Sequence, residues 1–309
     1  MSAPLEPVTQ VIETGGAHLL RGLAAVERRL GEIAAAAGGP VAGWAGATIA
    51  AGGKRLRPLL VLLAAGEDSE AAIRAAVAVE LVHGATLVHD DVLDAAPLRR
   101  GHPTVWATAG REAATVTGDH LFARAFSELA AGEDLEPIRI LSRASSALAQ
   151  GELLQREDAW TLIGEERYLQ RVELKTAALF EAACAFGDPA LAPFGRHIGL
   201  AFQILDDVLD VSGPAEKTGK HRGTDLLDGT VTLPLILAGL DDLDLRAITT
   251  PEQAEVVCDR IAAGGALERS REHALRFVAQ AKDELPRDMP GAQRRAFELV
   301  ADGVVDRYR

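Results

Sequence analysis

LVHDDVLD at 87–94 returns far downstream as QILDDVLD at 203–210. In both stretches apolar residues recur at three- and four-residue steps, the spacing of a helix face. On a helix, Asp90 and Asp94 lie one turn apart on one side, and so do Asp206 and Asp210, so each stretch ends in a pair of carboxylates. Working outward, the same periodicity predicts helices over 9–37, 56–65, 70–94, 112–130, 137–155, 165–186, 193–211, 232–240, 251–263, 266–283 and from 292 to the C-terminus. Pro58, Pro137, Pro193, Pro234 and Pro251 fall near proposed starts, and Gly66, Gly187 and Gly213 just beyond proposed ends. No alternating strand pattern stands out. The irregular segments 95–104 and 212–230 read as functional loops rather than linkers. The expectation is one all-α domain over 1–309.

Composition agrees. The 309 residues are 48% hydrophobic but only 4% aromatic, which suits helices packed through small side chains and argues against both extensive disorder and an all-β fold. Thirty-two basic against 45 acidic residues leave a net charge of −13, which argues against a surface that wraps nucleic acid or anionic lipid. An anionic substrate then needs a local basic cluster. Cys184 and Cys258 form no C-x-x-C pair, so a reducing cytoplasm is the simplest home. No signal peptide or transmembrane segment is expected: the charge-free run 33–53 is Ala- and Gly-rich and broken by Gly38-Gly39-Pro40, which reads as two buried helices and a turn.

A single DDVLD is most simply a solvated acidic helix end. Two copies, each crowning an apolar helix where the macrodipole already disfavours negative charge, call for a positive partner. Magnesium fits, because it takes oxygen ligands, keeps part of its water shell and bridges carboxylates to phosphates. Lys54, Arg57, Arg99 and Arg100 lie in or beside loops able to face such an anion. Trp44, Trp106 and Trp160 show no stacking array and read as packing, and His89 reads as structural.

The residues around the acidic pairs carry a resemblance. HDDVLDAAPLRRG (89–101), FQILDDVLD (202–210), GGKRLRP (52–58), ELVH (80–83), GDHLFARAF (118–126), KT (175–176), GKHRGTDL (219–226) and VTLP (231–234) together resemble the trans-isoprenyl diphosphate synthases, along nearly the whole chain. The resemblance implies an all-helical isoprenoid synthase fold with a central substrate cavity. It also implies head-to-tail condensation of isopentenyl diphosphate with an allylic diphosphate. In that reaction the allylic diphosphate ionises, the isopentenyl double bond attacks the cation, and loss of a proton restores an alkene.

By resemblance Asp90, Asp94, Asp206 and, through water, Asp210 bind magnesium, three ions with substrate present, while Asp91 and Asp207 support them, orienting basic side chains. Lys54, Arg57, His83 and Arg100 match positions that hold isopentenyl diphosphate. Arg99, Lys175, Thr176, Gln203 and Lys220 match those on the allylic partner. Asp90, Asp94, Arg99, Lys175, Asp206 and Lys220 are the catalytic candidates, and a cytoplasmic homodimer is the expected assembly. One position departs from the pattern. Thr230 stands where a lysine is expected before TLP, which removes one cation from the allylic grip, with Lys217 and Lys220 as candidate substitutes.

Ala85 and Thr86 lie roughly 6–7.5 Å along the helix from Asp90 at about 1.5 Å per residue. Their small size leaves room for a growing tail, and Phe122 and Phe126 are either a lower floor or ordinary core. A product of geranylgeranyl length or longer is expected. Two other readings are a class I terpene cyclase, against which the second DDxxD and the isopentenyl diphosphate motifs argue, and a weakly active subunit of a heteromeric synthase.

Overall fold

A computed structural model of the chain describes residues 6–51, 53, 55–99, 101–213 and 221–306. Its helices are α1 Glu6–Gly15, α2 Ala17–Ala36, α3 Gly39–Ala50, α4 Leu56–Ala65, α5 Glu70–Leu93, α6 Val105–Ala130, α7 Glu136–Asp158, α8 Glu165–Val172, α9 Ala178–Ala185, α10 Ala192–Ser212, α11 Thr224–Leu227, α12 Leu233–Ala238, α13 Pro251–Ala263, α14 Ala266–Asp283 and α15 Gly291–Asp306. One two-stranded hairpin, β1 Leu98–Arg99 against β2 His102–Pro103, is the extended structure among the described residues. The fold is all-α.

The chain clusters into two compact units. The first comprises Met1–Ser145, Leu179–Ala192 and Pro286–Val300; the second comprises Ser146–Ala178, Pro193–Leu285 and Ala301–Arg309.

In the first unit α5 is the central element. Ser69 caps it by accepting the Ala72 N–H at 3.3 Å, and every residue from Ala75 to Val82 is buried, so the helix is covered on all sides. Its alanines let α2, α4 and above all α6 pack closely. It is also long and apolar enough to cross a membrane, but most of that apolar stretch is buried within the protein, as in a core helix. The end of α9 approaches α4 so closely that a Cβ at Gly187 would strike the Ala64–Ala65 backbone.

In the second unit, Val211, Leu226, Val231, Leu235, Val257 and Ile261 belong to a core shared by the end of α10, α11, α12 and α13. Thr250 and Gln253 form a capping box that starts α13.

Several boundaries differ from expectation. The helix expected over 9–37 breaks at Gly16, whose φ of 112° no ordinary helix residue adopts. The run 33–53 is two helices and a turn, but α3 is half-exposed, with only Ala45 fully buried. The helix expected over 112–130 starts at Val105 and is kinked at Gly110 (φ 88°). The helix expected over 165–186 is interrupted by a π-turn at Glu173–Ala177. The first irregular segment holds the hairpin, whose two-residue strands are too short to alternate.

Candidate active site

The first acidic pair stands where α5 ends. Asp90 is half-buried in the last turn, and Asp94 is the exposed C-cap, its N–H donating to the Asp90 carbonyl at 2.8 Å. Asp91 points elsewhere and is 5% exposed. The chain turns back through Ala95, at φ 48°, with the Ala96 N–H on the Asp91 carbonyl at 3.0 Å, and the hairpin returns Arg99 to Asp91. There the Arg99 Nε donates to the Asp91 Oδ1 at 2.6 Å. Thr104 closes the loop: its hydroxyl donates to the Ala96 carbonyl at 2.7 Å and accepts the Ala107 N–H at 3.0 Å, capping α6. Asp91 thus holds a candidate substrate-binding arginine and leaves its neighbours toward solvent.

The GGKRLRP stretch is anchored by a residue the sequence did not single out. Arg55, at φ 47°, donates to Glu27, to the buried Glu80 at 2.5 Å and to the Ile49 carbonyl at 2.9 Å. It fixes the start of α4, from which Arg57 extends with its guanidinium 4.3 Å over the Phe180 ring. His83 is half-buried, and its carbonyl accepts the Thr86 hydroxyl at 2.8 Å. Lys54, Arg100, Lys217 and Lys220 lie outside the described residues. Ala85 is fully buried, and Phe122 stacks on His89 with ring centroids 5.8 Å apart. The Nε2 edge of the His89 ring also lies against Gly118, where a Cβ would collide with it, so His89 is packed between α5 and α6. Phe126 is half-buried on α6.

The second acidic pair lies near the end of α10, with Asp206 exposed and Asp210 half-buried. Asp210 is built into the following turn: its carbonyl accepts the Gly223 N–H at 2.9 Å and its Oδ2 the Asp225 N–H at 3.3 Å. Arg222 clamps the same turn, donating to the Val211 carbonyl at 2.8 Å and to Asp259 at 3.1 Å.

Asp207, 3% exposed, ends a chain of side-chain hydrogen bonds. The Thr176 hydroxyl donates to Gln203 Oε1 at 2.8 Å, Gln203 Nε2 donates to Asp207 Oδ1 at 2.8 Å, and the Tyr168 hydroxyl donates to Asp207 Oδ2 at 2.6 Å. Asp207 therefore orients a tyrosine and a glutamine rather than a basic side chain. Burial, followed by the nearby Asp225, pushes its carboxyl up to about 8, against the two hydrogen bonds, which favour the charged form. Burial and Asp207 push the Tyr168 phenol well above its usual range.

Lys175 sits in the π-turn and meets Glu152 at 2.5 Å; Glu152 also accepts from Arg156 at 2.8 Å. Burial raises the Glu152 carboxyl most, but Lys175 and Arg156 together outweigh it and hold the group below the usual range. The close approach depends on Gly151, because a Cβ there would lie 2.5 Å from the Lys175 nitrogen. Tyr168, Glu152, Arg171 and Arg222 escaped the sequence reading, since their partners are distant along the chain.

As a metal site each carboxylate pair offers hard oxygen donors at an accessible helix end. Among the described residues no group of three or more His, Cys, Asp or Glu side chains forms a cage. Two carboxylates with open positions suit an ion that shares its shell with water and a diphosphate. They do not suit a closed structural site.

Residues 42–255 match the family model for polyprenyl synthetases. The chain belongs to the polyprenyl synthetase family. It is 40% identical over 279 residues to heptaprenyl diphosphate synthase component 2 of Geobacillus stearothermophilus, covering 84% of this chain and 87% of that one. Its fold matches a decaprenyl diphosphate synthase from Rhodobacter capsulatus with a TM-score of 0.86 at 34% identity, over 94% of this chain and 97% of that one. A polyprenyl synthase from Caulobacter crescentus, solved with calcium and isoprenyl diphosphate, matches with a TM-score of 0.85 at 32% identity over 98% of both chains. This polyprenyl synthetase is a prenyltransferase that condenses isopentenyl diphosphate with an allylic diphosphate.

Proposed function

We propose that this synthase makes a medium- or long-chain trans-polyprenyl diphosphate, using magnesium held by Asp90 and Asp94 on one helix end and by Asp206 and Asp210 on another. The observation that carries the reading is the repeated design of these ends, in which the outer aspartates are accessible and the middle one is buried as a support. Relatives named for heptaprenyl and decaprenyl products support the product class.

In the reaction the allylic C1–O bond breaks and its electron pair leaves with the diphosphate. The isopentenyl double bond forms the new C–C bond to C1, and a proton then leaves the adjacent carbon to restore an alkene. Magnesium supplies charge neutralisation of the departing diphosphate. Arg99, Lys175, Thr176, Gln203 and Lys220 bind and orient the allylic diphosphate, and Lys54, Arg57, His83 and Arg100 the isopentenyl diphosphate. Preorganised donors of this kind supply much of the rate by stabilising the developing charge. We infer three magnesium ions with both substrates bound, which these carboxylates would share with the diphosphate oxygens.

We read the whole chain as one domain, because four of the five boundaries between the two compact units fall within helices, in α7, α9, α10 and α15, and each unit draws on separate stretches of the chain. A cytoplasmic homodimer is the proposed assembly, consistent with two buried free thiols. The name of the Geobacillus relative, component 2, favours a second reading in which the chain works with a different subunit.

The test is mass spectrometry of products from the purified chain, isopentenyl diphosphate and dimethylallyl, geranyl or farnesyl diphosphate, with and without magnesium, and with D90A and D206A as controls. A magnesium-dependent ladder lost in both variants supports the assignment. If no starter is extended by the chain alone, the homodimer reading fails and the partner-subunit reading takes its place.

A further inference from the structure

Arg171, in α8, is 3% exposed. Its Nη2 donates to the main-chain carbonyl of Val231, and its guanidinium lies 5.6 Å from the Tyr168 ring. Its Nη1 is buried without a hydrogen-bond partner, and no described carboxylate pairs with it. A buried guanidinium without a counter-ion is costly to keep, and it persists where an anion or a functional strain repays it. The position of Arg171 indicates which. Val231 follows Thr230, which stands where the family resemblance implies a lysine.

The segment is held on several sides. The Thr230 N–H donates to the Asp225 carbonyl at 2.8 Å, the Trp160 N–H donates to the Gly229 carbonyl at 2.8 Å, and the Trp160 ring covers Gly229 so closely that a Cβ there would collide with it. Arg171 adds the bond to the Val231 carbonyl and brings the one formal positive charge among these anchoring groups. Asp206, Asp207 and Asp210 lie on the α10 end and Asp225 on α11, while the described cation of the turn between them, Arg222, is committed to the Val211 carbonyl and Asp259. Among the described residues that anchor this segment, Arg171 is the one that can offer a diphosphate a positive charge.

We propose that Arg171 is a positioning residue for the allylic diphosphate: it fixes the Thr230–Val231 main chain and supplies, from beneath it, the positive charge that position 230 lacks. The inference rests on the reading of this segment as part of the allylic site. It differs from a purely structural role for Arg171, in which the guanidinium only fills space and ties down one carbonyl. A structural role is indifferent to where a replacement charge is put. An electrostatic role is not, because a lysine at 230 returns the charge without restoring the Val231 bond.

The experiment compares R171M, T230K and R171M/T230K, with thermal midpoints and with KM measured separately for farnesyl diphosphate and isopentenyl diphosphate. R171M is expected to raise the farnesyl diphosphate KM by about tenfold or more, the scale of one lost charge-assisted contact, with the isopentenyl KM changed less than about twofold. T230K in the R171M background is expected to return the farnesyl KM to within about threefold of the parent even though the thermal midpoint stays low. A double variant no better than R171M overturns the proposal. Should R171M not fold, R171Q against R171Q/T230K carries the same comparison, because glutamine is neutral and can still donate to the Val231 carbonyl, with the same overturning result. K175A is measured in parallel. If K175A leaves the farnesyl KM unchanged, the allylic-site reading fails; if K175A raises it and R171M does not, the proposal alone fails.

Discussion

Gly151→Ala tests how α7 positions the π-turn. A methyl group at 151 would lie 2.5 Å from the Lys175 nitrogen, 2.7 Å from its Cα and 2.8 Å from its Cβ. Carbon contacts settle at about 3.5–4.0 Å, so the two segments must part by roughly 1 Å. The obstructing atoms are mostly main chain, so no rotamer change relieves the clash. Overpacking of this kind costs about 1–3 kcal/mol, while replacing glycine by alanine inside a helix returns about 0.5–1 kcal/mol. The net expectation is a loss of about 1 kcal/mol, up to about 2.5 if the segments resist parting. Thermal unfolding should therefore shift down by a few degrees, at roughly 2–4 °C per kcal/mol for a chain somewhat smaller than this one. The same displacement moves Lys175 off Glu152, so the KM for the allylic diphosphate should rise while that for isopentenyl diphosphate does not. Gly31→Ala is the internal control. It lies on α2 with open space around the new methyl, and should stabilise the protein by about 0.5–1 kcal/mol. A G151A protein that melts as high as G31A with an unchanged allylic KM would show that the contact between α7 and the π-turn yields freely, and the reasoning would fail.

Two further outcomes are expected. With metal chelated, Asp207 has a folded-state value of about 8 against an ordinary 3.8, so its contribution to stability is fully present below about pH 4 and is lost as pH rises toward 8. Asp207→Asn should flatten the dependence of the urea midpoint on pH across that window; an unchanged slope would assign it to other groups. Ala85→Phe should shorten the longest product, and Phe122→Ala or Phe126→Ala should lengthen it. Mass spectrometry of a folded A85F enzyme that gives the parental product would remove Ala85 from the elongation path.

The acidic helix ends were legible because four-residue spacing on an apolar helix leaves one geometry for Asp90 with Asp94 and for Asp206 with Asp210. The bounds of α13 and α14 were legible for a local reason too: Pro251 sits at the first position of one, and Gly265 precedes the other. What was hidden depends on partners distant in sequence. Tyr168 finds Asp207 39 residues away, and Arg171 finds Val231 60 residues away, so nothing near either residue marks it. The π-turn was hidden because apolar residues at 172, 177 and 180 continue a helix-like rhythm through one extra residue. The exposure of α3 was hidden because alanine and glycine fit a buried or a half-open face equally well.

The π-turn at Glu173–Ala177 has the effect of a gear shifted by one tooth. A single residue beyond α-register advances the helix by about 100°, so α8 and α9 present their side chains on independently set bearings. Tyr168 and Arg171 can then face the carboxylate and the carbonyl they serve, while Phe180 turns to Arg57, an arrangement one unbroken helix would have to compromise. Deleting one residue from 173 to 177 would take out the extra step and restore regular helix, so the change would fall on Lys175 and Thr176, which the turn itself carries.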